Sequence, residues 1–280
     1  IMSSDWSSDV CSSDLSMYKP EDMTPGTLTE GEHDRNPEHF RKTQEDDTDY
    51  WQQLRQGEAI HGGHCHLHER EEMQKNMATY YGMVSFMDRE IGRILDALDR
   101  LGIAQNTLVV FTTDHGHFLG QHGLNAKAIH HYEDLLRVPF IVRWPGRVPA
   151  GAVSDDLQNS VDIVPTFLAA AGQEVPFHMT GIDQVPNWTG GDTCRTWSVT
   201  ENHHGTHHFH MRTYVNDRYK LTVYHDGADG ELFDLQEDPG EINNLWHDAD
   251  AVELRQQLMH EFLQACLQYE QTRMPRISGA

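Results

Sequence analysis

Cationic side chains are scarce in this chain: 21 Lys and Arg stand against 44 Asp and Glu, a formal charge of −23 over 280 residues. With no local basic patch visible, that balance argues against a nucleic-acid backbone as partner. An anion would have to be held by a metal ion or a few buried cations rather than by the overall field. Cysteine is scarce too. Cys11, Cys65, Cys194 and Cys266 are far apart and form no Cys-x-x-Cys pair, so neither a disulfide framework nor a structural zinc site is indicated, and the compartment stays open. No run approaches the roughly 18 apolar residues of a membrane span. The N-terminus also lacks the basic and apolar regions of a signal peptide, so no membrane partner is expected.

Histidine, by contrast, is plentiful at 20 residues, many of them in polar clusters: His61, His64, His66 and His68, then His203, His204, His207, His208 and His210. The first cluster has no acidic or Cys ligand at zinc-like spacing and reads as a solvated loop. Residues 1–15 repeat Ser-Ser-Asp at 3–5, 7–9 and 12–14 with almost nothing apolar to bury. They are expected to be disordered in isolation. The stretch resembles translated adapter read-through at the broken end of an assembled sequence, and the change of character at Ser16 fits a splice point. Residues 16–60 are polar and punctuated by Pro20, Pro25 and Pro37, with Trp51 and Leu54 as apolar anchors. That composition predicts a loop-rich excursion leading to a short helix.

From Glu69 the pattern changes. Met73, Met77, Tyr80, Tyr81, Val84, Met87, Ile91, Ile94, Leu95, Leu98 and Leu101 recur at three- and four-residue spacing, which predicts a long amphipathic helix stopped at Gly102. The run 107–113 is too short for a helix and apolar on both faces, as a central strand of a covered parallel sheet would be. A similar run follows at 138–144, and Asp162 can cap a helix through Ile163 to Ala171. From Thr196 the period shortens. Strands are predicted at 197–200, 209–215, 219–224 and 231–233, with turns at Asn216-Asp217 and Asp226-Gly227, followed by an amphipathic helix from Val252 to Leu267. The expected architecture is α/β: a mostly parallel, helix-covered sheet in residues 16–190 and a small antiparallel sheet with a closing helix in 191–280.

Asp114 and His115 stand where the first apolar run meets its loop, at the carboxyl end where open α/β sheets place ligands. A hard divalent cation wants carboxylate oxygens, and an adjacent imidazole can complete the shell. Taken alone, Asp-His-Gly is equally compatible with a turn in which Asp114 is satisfied locally and His115 packs.

The surroundings add to this. The stretch TLVVFTTDHGHFLGQHGLNAKAIHHYEDLLRVPFIVRWPG (107–146), preceded by YYGMVSFMDREIGRIL (80–95), resembles the sulfatase family of the alkaline-phosphatase superfamily. There a strand ends in Asp-His-Gly or Asp-Asn-Gly, followed by a Gly-His-Gly loop and then a Lys. SVDIVPTFLAAAG (160–172) and RYKLTVYHDGADGELFDLQEDPGEINNLW (218–246) agree with it, so the likeness covers about residues 16–280. It implies that Asp114 and His115 are the second pair of ligands to an active-site Ca²⁺, and that Lys127 contacts the sulfate ester. His131 could line the pocket or be a plain loop histidine. Glu201, Asn202 and His203, at the end of a predicted strand, could touch a small sulfated substrate or form a solvated turn. Glu133 and Arg137 read as an ion pair or cap. The family's nucleophile is a formylglycine made from Cys or Ser in a Cys/Ser-x-Pro/Ala-x-Arg motif near the N-terminus. Neither that motif, the N-terminal Asp-Asp metal pair, nor the Lys and His that follow the nucleophile occurs here. The resemblance thus implies the C-terminal part of a sulfuric ester hydrolase, with the 280 residues themselves expected to be inactive. Phosphonate monoester and phosphodiester hydrolases share the Asp-His-Gly and Lys pattern and remain an alternative. The particular ester and the oligomeric state are not legible.

Overall fold

A computed structural model describes residues 16–46, 62–127, 129–204 and 209–269. The expectations placed on residues 1–15, Trp51, Leu54, His61, His207 and His208 lie outside them. The chain forms two compact units, one of Ile1–Gly31 with His39–Pro145 and the other of Glu32–Glu38 with Gly146–Ala280. This division follows compactness. The boundary read near residue 190 instead marks where the strand-rich stretch begins, which lies wholly inside the second unit.

The polar excursion contributes 3₁₀ turns at Pro20–Asp22 and Glu32–Arg35 and one short helix, α1 (Glu38–Lys42), and the stretch Glu32–Glu38 counts with the second unit. The periodic stretch is helix α2 (Arg70–Arg100), with Leu101 as its C-cap and Gly102 beyond it at φ 69°, the left-handed conformation that glycine adopts without steric cost. Its N-terminal half is anchored on residues 18–23. Tyr18 packs edge-on against Tyr81 at 5.5 Å and its hydroxyl lies 2.9 Å from Ser85 Oγ, while Gln74 Nε2 donates to the Met23 carbonyl at 3.0 Å.

Strand β1 (Val109–Thr112) leads into two short paired strands, β2 (Phe118–Leu119) and β3 (Asn125–Ala126). One turn of helix, α3 (Glu133–Leu136), and β4 (Phe140–Arg143) follow. Glu133 and Arg137 bracket α3, and the Arg137 amide donates to the Glu133 carbonyl at 2.8 Å. Both apolar runs are therefore strands, but their pairing differs from expectation. β1 and β4 run antiparallel, Val109 opposite Arg143 and Thr112 opposite Phe140, and the described residues contain no parallel ladder. All of β1 is half-buried and Ile141 on β4 is 60% exposed, so apolar character on two faces did not translate into burial on both. The core of the first unit lies under the loops instead, built on Phe40, Phe118, Leu124, His130 and Tyr132, all fully buried.

The second unit opens with a capping box. The Asn159 side chain accepts from the Val161 amide and the Asp162 carboxylate accepts from the Asn159 amide, leading into α4 (Ile163–Ala170). The sequence predicts Asp162 as the helix cap, yet its side chain makes no capping bond to α4. It is 2% exposed, and its oxygens accept from Arg195 Nε at 2.7 Å, from Gln184 Nε2 at 3.0 Å and from the Ile182 amide at 2.9 Å. Helix α5 (Val185–Trp188) follows, and then a four-stranded antiparallel meander: β5 (Trp197–His204), β6 (Phe209–Asn216), β7 (Tyr219–Tyr224) and β8 (Gly230–Asp234), in that spatial order. Helix α6 (Val252–Tyr269) closes it, placing Leu258, Phe262 and Ala265 on Tyr214, Leu221 and Leu232. Each large apolar side chain buried there contributes about 1.5–3 kcal/mol. The small antiparallel sheet and closing helix are as the sequence predicts. No helix among the described residues is long and apolar enough to cross a membrane.

Candidate functional site

β1 delivers the chain to Thr113, and the next two side chains are Asp114 and His115. Asp114 is 82% exposed, and its carboxylate accepts from the Thr113 hydroxyl at 3.1 Å and from the His115 amide at 3.0 Å. The His115 imidazole, 37% exposed, turns Nε2 to within 3.5 Å of Asp114 Oδ2 and sets Nδ1 2.7 Å from the Gly116 carbonyl. What burial there is pushes the Asp114 carboxyl up. The adjacent His115, the Thr113 hydroxyl and the backbone amides outweigh it and hold the group below its ordinary value. Asp114 is thus an ionised, accessible carboxylate beside an imidazole whose Nδ1 is occupied. That leaves Nε2 on the carboxylate side.

The next residue is fixed by a close approach. The Gly116 amide donates to the Leu135 carbonyl at 2.7 Å, and a Cβ at this position would lie 1.8 Å from the Asp134 carbonyl oxygen. No side chain fits there. Beyond Gly116 the chain makes the β2–β3 hairpin, in which His122 and Ala126 both adopt positive φ of 57°, a conformation that costs a non-glycine residue roughly 1 kcal/mol or more. Lys127 follows Ala126 directly and is exposed.

His131 is 3% exposed and so presents no open surface. Glu201, Asn202 and His203 belong to the second unit, on β5. Glu201 is paired with Arg212 at 3.0 Å and its Oε1 lies 3.0 Å from His210 Nε2. His203 stacks on His210 at 4.7 Å, and Asn202 stands opposite Met211 in the ladder. They are residues of a regular strand rather than of a turn. The cluster read as a solvated loop is also more ordered than expected: His64 is 6% exposed and its Nδ1 lies 3.0 Å from the Glu45 carbonyl, while His66 and His68 lie 3.4 and 3.6 Å from Asp46 and Glu72.

The chain has relatives among known proteins. The sequence model of the Sulfatase family matches residues 28–173, and that of the N-sulphoglucosamine sulphohydrolase C-terminal region matches residues 120–268. The chain belongs to the sulfatase family.

Among its relatives is an N-acetylglucosamine-6-O-sulfatase of Bacteroides thetaiotaomicron, 32% identical over 207 residues, covering 70% of this chain and 37% of the relative. An arylsulfatase of Clostridium perfringens is 31% identical over 185 residues, covering 63% of this chain and 37% of that one. Of solved structures, a protein in complex with its substrate D-glucosamine-2-N,6-O-disulfate superimposes with a TM-score of 0.68 at 28% identity, over 82% of this chain and 47% of that one. A phosphonate monoester hydrolase of Silicibacter pomeroyi gives 0.75 at 24% identity, over 92% and 53%, a likeness of fold alone. The sulfatase chain therefore spans less than half the length of the curated relatives named.

Asp114 and His115 can serve as part of a metal shell: one ionised carboxylate and one imidazole, adjacent and accessible. They do not make a complete one, since Ca²⁺ takes six to eight oxygen ligands. No group of three or more His, Cys, Asp or Glu able to hold a metal occurs among the described residues. Sequence reading missed Tyr132, Asp134 and the side chain of His122, which underlie both loops. His122 stands in Gly120-Gln121-His122-Gly123, but nothing in that spacing shows that it is 6% exposed.

Proposed function

We propose that this chain contributes the C-terminal half of a sulfuric ester hydrolase, with Asp114 and His115 as two ligands of a divalent cation, Ca²⁺ on the family resemblance, and Lys127 as the cation facing the sulfate ester. The observation that carries the reading is the Asp114–His115 pair at the end of β1, ionised, accessible and oriented by Thr113 and Gly116, in a chain 32% identical to an N-acetylglucosamine-6-O-sulfatase. The cation, when bound, would act as a Lewis acid on the ester oxygens. Within the chain, Asp114 offsets the positive charge of that ion, and His115 presents Nε2 while the Gly116 carbonyl occupies Nδ1. The Lys127 ammonium stabilises negative charge building on the sulfate and the bridging oxygen as the S–O bond breaks. The nucleophile, a formylglycine by the same resemblance, is proposed to come from sequence outside these 280 residues.

A second reading is phosphonate monoester or phosphodiester hydrolysis, since by the same resemblance those hydrolases share the Asp-His-Gly and Lys pattern. Steady-state assays of a protein extended upstream of Ser16, on paired aryl sulfate and aryl phosphodiester substrates, separate the two. The sulfatase reading expects a higher kcat/KM for the sulfate, and preference for the phosphodiester would replace it.

A further inference from the structure

We infer that His122 is a positioning residue that braces the loop bearing Lys127 against the segment Tyr132–Leu135, the same segment that holds the loop bearing Asp114 and His115. The inference rests on reading those three residues as one site, but its geometry is independent of the ester.

The His122 ring lies flat on the Tyr132 ring, with centroids 3.6 Å apart and planes 2° from parallel, and its Nε2 is 3.3 Å from Asp134 Oδ2. Phe118 packs edge-on against both rings at 6.3 Å. To reach this position the His122 backbone takes a positive φ, strain that persists only where the side chain is held by its surroundings. Two residues along from Tyr132, the Asp134 carbonyl excludes any side chain at position 116, and the Leu135 carbonyl takes the Gly116 amide. One four-residue abutment thus meets the hairpin through a ring and a carboxylate, and the Asp-His-Gly loop through its backbone. A histidine that merely filled the core would need neither the carboxylate contact nor the left-handed backbone. Charge development in the reaction is stabilised only by groups already in place, and this abutment is what Lys127 and Asp114 have in common.

Amide hydrogen exchange by NMR on the 280-residue chain tests the connection. His122→Phe keeps the stack and volume and removes the contact to Asp134, and Asp134→Asn weakens the same contact from a partly exposed side chain. Both should fold. Each is expected to raise exchange at least tenfold at the Gly123 amide and also at Gly116, with the amides of β6 and β7 unchanged. His122→Gln, which can still donate to Asp134, should restore part of the Gly116 protection. Faster exchange confined to 120–124, or raised equally throughout the chain, would overturn the proposal. In the extended enzyme His122→Phe should lower kcat while KM stays within about twofold. A loss in KM alone would likewise count against positioning, whereas absence of wild-type sulfate turnover would count against the sulfatase reading and leave the exchange result standing.

Discussion

Lys127 and Asp114 are both exposed. Replacing Lys127 with Ala should therefore leave the melting temperature within about 2 °C and lower kcat of the extended enzyme by about 10²–10³-fold, the usual range for one charge-stabilising group. Equal losses of stability and turnover would assign it a structural role. Gly116 is the opposite case. Gly116→Ala drives a methyl group into the Asp134 carbonyl and should cost at least about 3 kcal/mol in urea unfolding, at the upper end for overpacking because the obstacle is backbone. The position of Asp114 and His115 directly after β1 was legible because a short apolar run precedes them. The stacking of the buried His122 on Tyr132 and its contact with Asp134 were not, since a ring stack between residues ten apart leaves no periodic trace.

Among the elements, α2, the meander and α6 were legible because their apolar spacing is regular and their turns carry Asn, Asp and Gly. The pairing of β1 with β4 was not, because an apolar run specifies a strand without specifying its neighbour. Asp162 illustrates the same limit: its position before a helix suggests a cap, while the partner that claims its carboxylate, Arg195, lies 33 residues on. Arg195→Met should destabilise the chain by about 3–5 kcal/mol, since it leaves a buried carboxylate unpaired. Little change in urea unfolding would show that Asp162 is satisfied by Gln184 and backbone amides alone. β7 and β8 carry a second buried set. Lys220 and Glu241, each 1% exposed, form an ion pair, and Tyr224 donates to Glu231, also 1% exposed. Burial pushes the Glu231 carboxyl from 4.5 up to about 7, against the opposing pull of Tyr224 and Lys220 and with a push from Glu241. A carboxyl whose folded value is raised binds more protons folded than unfolded, so its contribution is intact below pH 4.5 and lost as pH rises toward 7. The loss should total about 3 kcal/mol. Glu231→Gln should flatten the decline in stability between pH 4.5 and 7, and an unchanged slope would place the titration elsewhere.

At the scale of the whole molecule, the first unit leaves apolar surface uncovered. Val84, Met87 and Ile94 on α2 and Leu101 at its C-cap are 41–71% exposed at three- and seven-residue intervals, one face of a helix. Contiguous apolar surface of this kind marks an interaction site or an aggregation liability. The 280-residue chain should therefore self-associate with rising concentration in light scattering, and Ile94→Glu with Leu101→Glu should suppress it. A monodisperse monomer at high concentration would show that the face is tolerated alone. The central claim is that this chain supplies the metal-binding Asp114 of a sulfate ester hydrolase, and the most direct measurement is aryl sulfate turnover by the protein extended upstream of Ser16, compared with its Asp114→Ala form. The account predicts measurable wild-type kcat/KM that falls at least about a hundredfold in the variant at an unchanged melting temperature. Turnover retained in Asp114→Ala, or absent from the wild type, would contradict it.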